Sequence, residues 1–106
     1  MYITRQDLHV FYQQVHQNVA KQLGIENYEW KSASELAEEI QTANSAVASK
    51  LKSFIAAYES WFKVHEEIDS EGTAGNLSPD QNEKLLKAIA ARDSTRQEVI
   101  VELAKL

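Results

Sequence analysis

His65 and Asp69 stand four residues apart with Glu66 beside them, and side chains one helical turn apart on one face can share a cation or a proton. The pair is a weak signal. A zinc site needs three or four ligands, and neither an HExxH nor an ExxH pattern occurs in the chain. His9 and His16 are two turns apart, too far to grip one ion together. The stretch "DSEGTAG" at 69–75 has the outline of a calcium loop but lacks its ordered oxygen ligands and closing glutamate. Nucleophilic chemistry fares no better, since there is no G-x-S-x-G turn and no glycine-rich phosphate loop. The expectation is a protein that is not an enzyme, with no cofactor and no metal.

Charge and composition narrow the classes further. The net charge is −5, and all of the imbalance lies in residues 32–71, with eight acids against three bases. A surface that tracks phosphates needs clustered Lys and Arg, so nucleic acid is not an expected partner. The acidic cluster Glu66, Glu67, Asp69 and Glu71 sits at a helix C-terminus, where the dipole disfavours it, and reads as a solubilising end ahead of a docking surface for a basic partner. Apolar runs are only a few residues long, which gives no membrane span, and the start "MYITRQDLHVFYQQ" has no secretory leader pattern. With no cysteine, disulfides are excluded and a reducing, cytoplasmic setting fits.

The elements that would position any site are helical. At 106 residues, with three Gly, one Pro and 43% apolar residues, the chain reads as a single all-α domain over 1–106. Thr4 and Asp7 start a first helix at about 5–23, with Ile3 and Leu8 placed for a staple, and Gly24 stops it. "GIENYEW" connects, its Tyr28 and Trp30 expected to cover the end of the core. Ser32 and Glu35 open a second helix. From Ser32 to Glu71 there is no Gly or Pro, and Leu36, Ile40, Val47, Leu51, Phe54, Tyr58, Trp61 and Ile68 follow a near-heptad seam like that of a coiled coil. The spacing predicts one long central helix over about 32–70; the weak helix formers Thr42, Asn44, Ser45 and Ser49 mark the alternative, a break near Ser45. Gly72 and Gly75 end it, and Ser78, Pro79 and Gln81 start a third helix at about 78–105.

These lengths give an antiparallel bundle of three helices. An unbroken second helix outruns both neighbours, with residues 92–98 of the third beside about 52–58, near the end of the first. The aromatic half of the second helix would then lack cover, and an exposed patch of that size calls for a partner. The expected partner is another protein or a second copy, with a homodimer as the expected assembly. Phe54, Ile55, Tyr58, Trp61 and Phe62 are the candidate apolar anchors. The polar run Arg92 to Glu98 interrupts an otherwise apolar helix. It reads either as a solvated face held by an Asp93–Arg96 pair or as the rim of a binding groove, with Arg92 and Arg96 orienting the partner. The function expected is stoichiometric binding of another protein, of chaperone, adaptor or inhibitor type. The rival is a self-assembling structural subunit; a metal protein or enzyme ranks last.

Overall fold

A computed structural model of the chain describes residues 4–70 and 76–106. The Ile3 half of the staple, the calcium-like loop and the stop at Gly72 and Gly75 lie outside or partly outside them. The described residues form four α-helices, α1 (Arg5–Gln22), α2 (Ala33–Ala43), α3 (Ser45–Ser70) and α4 (Pro79–Ala104), with a 3-10 turn at Tyr28–Trp30. No helix is long and apolar enough to cross a membrane, among the described residues.

The local signals decide the helix ends. Thr4 accepts from the Asp7 amide while the Asp7 carboxylate accepts from the Thr4 amide, and Ser78 and Gln81 make the same reciprocal pair under Pro79. The Thr4 backbone N–H holds the Asp7 carboxyl below the usual range, with the Thr4 hydroxyl adding to the effect and desolvation opposing it. At the far end of α1, Ile25 N–H bonds to Ala20 C=O and Gly24 N–H to Lys21 C=O, a Schellman closure. Gly24 has φ +75, and no atom lies within 4 Å of where a side chain would begin. Conformation alone asks for glycine there.

The expected long central helix is broken, at the place near Ser45 that its weak helix formers marked as the alternative. Asn44 lies between α2 and α3 with φ −159 and ψ 98, and its side-chain Oδ1 accepts from the Val47 amide at 3.1 Å. An asparagine cap at the head of α3 thus takes up a donor that a continuous helix would have satisfied from its own ladder. The bundle of three helices becomes an arrangement of four.

The break also changes what α1 covers. Instead of lying only beside the first half of a long helix, α1 runs antiparallel along α3. Arg5 reaches Glu66 at 3.0 Å, Leu8 packs with Trp61 and Phe62, Phe11 stacks on Tyr58 with ring centres 3.9 Å apart, and Val19 shares a cluster with Val47 and Leu51. On the other flank α4 is also antiparallel to α3, placing Leu85 and Ile89 by Trp61 and Phe62, and Val99 by Phe54. α2 closes the α1 end through Leu36 and Ile40, both fully buried. The aromatic half of the second helix is therefore covered within the chain, so the length argument for a partner at those residues does not hold. Trp30, expected over the core, is 86% exposed; the 3-10 turn carries Tyr28 inward and Trp30 outward.

One feature of this core is testable at once. The Tyr12 hydroxyl is buried with no hydrogen-bond partner among the described residues, and burial, with Glu59 adding to it, pushes its pKa up. A raised folded-state value means stability is fully present below the ordinary tyrosine pKa and is lost as pH rises from there through the raised value. Tyr12→Phe removes an unsatisfied group, so urea unfolding at pH 7 should show equal stability or a gain of up to about 1 kcal/mol. The variant should also lose less stability than the parent above about pH 10. A clear loss at pH 7 would mean the hydroxyl has a partner after all.

Candidate protein-binding groove

Because α1 and α4 stand on opposite flanks of α3, they leave an open groove of about 380 Å³ between them. Phe54 and Tyr58 of α3 form its floor. Phe11, Val15 and Val19 line the α1 wall, with Asn18 and Gln22 towards its far end; Val99, Ile100 and Leu103 line the α4 wall, with Arg92, Asp93 and Arg96 beside them. Ile100 is an apolar side chain left 45% exposed.

The polar run in α4 now has a place. Arg92 sits over the Trp61 ring, 4.7 Å from its centre, and pairs with Asp93 at 3.1 Å. Its aliphatic stem and guanidinium roof an indole that an aliphatic residue would otherwise cap. Thr95 returns its hydroxyl to the Ala91 carbonyl at 2.8 Å, and Val99 resumes the core. The expected Asp93–Arg96 pair is replaced by Arg92–Asp93. Arg96, exposed on the groove wall, has no ion pair among the described residues. Burial in the floor pushes the Tyr58 pKa up, with the Arg92 charge opposing it; the phenol is a neutral hydroxyl at physiological pH.

The seven residues singled out from the sequence separate into three groups. Phe54, Trp61 and Phe62 are buried in the chain's own core, Phe54 where it also floors the groove. Ile55 is half-buried and faces a second pocket of about 420 Å³ between α1, α2 and α3, with Ala37, Ala48 and Lys52. Tyr58, Arg92 and Arg96 come together in the groove. The sequence reading missed the α1 wall, Phe11 and Val15 above all, and Ile100 on α4. The signal available was Phe11 standing off the main stripe of its helix, beside rather than within the core spacing.

Other candidates for chemistry are placed differently. His16, 8% exposed, also lines the second pocket; its Nδ1 lies 2.6 Å from the Tyr12 carbonyl, which can only accept, so that nitrogen carries the proton. His65 packs edge-on against Trp61. No three His, Asp or Glu side chains gather to hold a metal ion among the described residues. Comparison with protein-family models, curated proteins and solved structures gives no match.

Proposed function

We propose that the chain is a small non-enzymatic interaction protein, of chaperone, adaptor or inhibitor type, that binds another protein stoichiometrically between α1 and α4. The occupant is an amphipathic helix with acidic residues beside its apolar stripe. The observation that carries this reading is the unpaired Arg96 on the wall of an apolar groove, in a chain whose net charge is −5. Apolar residues supply the contact area, and the guanidinium selects carboxylates and fixes register. From Phe11 to Gln22 the α1 wall runs roughly 16 Å, three turns of a docked helix. A cytoplasmic setting is part of the same proposal.

Site-specific photo-crosslinking in the source cell tests it. A crosslinker at Ile100 should yield a discrete adduct with one other protein, and one at Val10, an exposed apolar position outside the groove, should not. Arg96→Glu should reduce the adduct at least tenfold, the scale of one charge-assisted contact. An adduct with the chain's own mass would favour the structural-subunit reading instead. Equal labelling from both positions, or insensitivity to Arg96→Glu, would sink the groove.

A further inference from the structure

The break at Asn44 is one residue long. Its N–H already donates to the Ile40 carbonyl at 2.8 Å, and its carbonyl already accepts from Ala48 at 3.0 Å, both four residues away as in an unbroken helix. Only the ladder bonds from Ser45, Ala46 and Val47 to Gln41, Thr42 and Ala43 are missing, and the Asn44 Oδ1 replaces the last of them. Rotating this one residue into helical geometry would therefore add three backbone hydrogen bonds and lose one cap. No Gly or Pro lies between Ser32 and Glu71 to forbid continuity.

We propose that Asn44 is a hinge at which α2 and α3 join into one helix of roughly 57 Å, allowing two copies of the chain to exchange their α1–α2 segments. The partner is a second copy because the contacts broken by opening are those between residues 4–43 and residues 45–106. They include Leu8 clustered with Trp61 and Phe62, Phe11 against Phe54 and Tyr58, Val19, Leu36 and Ile40 clustered with Val47 and Leu51, and the Arg5–Glu66 pair. An opened monomer exposes both sides of that interface. A second opened copy restores every one of them, leaving the hinge itself as the term that differs between the two forms. Contacts of α2 with α1, such as Ile40 near Val19 and Ala20, travel with the exchanged segment. This inference concerns assembly and is independent of what occupies the groove.

Two substitutions push the hinge in opposite directions. Asn44→Ala removes the cap and raises helix propensity at the break. Ser45→Pro places proline at the first residue of α3, where no ladder bond is lost. Its requirement for an extended preceding residue matches Asn44 as it stands, and it forbids a continuous helix. Light scattering over a dilution series should show the dimer association constant raised roughly tenfold or more by Asn44→Ala, the effect of losing one cap per chain, and Ser45→Pro monomeric throughout. Exchange is distinguished from side-by-side pairing by Arg5→Cys with Glu66→Cys, bridged by a short bismaleimide in a chain with no other cysteine. The link joins one chain to itself in the closed monomer and joins two chains in the exchanged dimer. Should Asn44→Ala fold poorly, the parent chain refolded at high concentration should form the same inter-chain link and Ser45→Pro should not. The proposal is overturned by Asn44→Ala remaining monomeric with full helicity, by dimers whose links stay within one chain, or by Ser45→Pro dimerising like the parent.

Discussion

Phe62→Ala is expected to lower the free energy of unfolding by about 3–5 kcal/mol, the cost of emptying a closed aromatic site. A chain of this size has roughly 5–15 kcal/mol in total. The magnitude follows from where the side chain lies: it is 1% exposed, pressed between Leu8 of α1 and the Leu85–Ile89 stretch of α4, with the Arg5 guanidinium 5.6 Å from its ring centre. Truncation removes contacts with two neighbouring helices at once, and helices held by caps and a Schellman turn at their ends cannot collapse freely into the space. Urea denaturation followed by circular dichroism reads the loss as a lower midpoint at unchanged slope. Leu8→Ala combined with Phe62→Ala should lose less than the sum of the two, with a coupling of about 0.5–3 kcal/mol, because each side chain is part of the other's wall. Near-parental stability for Phe62→Ala would mean that α1 does not cover this end of α3. Phe62 would then regain its place as a partner anchor.

The contrast shows what was legible in the sequence. Ends that depend on residues three or four apart could be read: Thr4 with Asp7, Ser78 with Gln81 under Pro79, and Gly24 with its positive φ. The break at Asn44 was legible only as an alternative, marked by the weak helix formers Thr42, Asn44, Ser45 and Ser49, because asparagine is tolerated within a helix as well as at its head. What decides is whether Leu36 and Ile40 gain more by folding back on α1 than the backbone gains by continuing. That competition is between distant segments, and no local pattern records it. One wrong continuation then misplaced α1, left Phe54, Trp61 and Phe62 looking uncovered, and turned core residues into candidate anchors. The groove was half legible: the polar interruption at Arg92, Asp93 and Arg96 was visible as an anomaly in α4. The opposite wall, Phe11 and Val15, came into view only once α1 was laid along α3.

Ile40→Ala should cost about 2–5 kcal/mol and Ile40→Val about 0.5–1.5 kcal/mol, although Ile40 lies one turn from a helix end, where fraying usually softens such effects. Its side chain is fully buried in the cluster that joins Val19 and Ala20 of α1 to Val47 and Leu51 of α3, so α2 is held by tertiary packing rather than by its eleven residues of helix. Hydrogen exchange should show the α2 amides losing protection before those of α3 and α4, as expected of a segment that opens below the global transition. The same substitution separates core from hinge. Ile40 makes equivalent contacts whether α2 packs on its own α3 or on that of a second copy, so Ile40→Ala should lower stability while leaving the dimer association constant within about twofold, the limit of additivity between independent effects. Asn44→Ala should do the reverse, shifting association with a far smaller change in the stability of either form. If Ile40→Ala raised the association constant as strongly as Asn44→Ala, exchange would be driven by general loosening of α2, and the specific role of the Asn44 cap would fall.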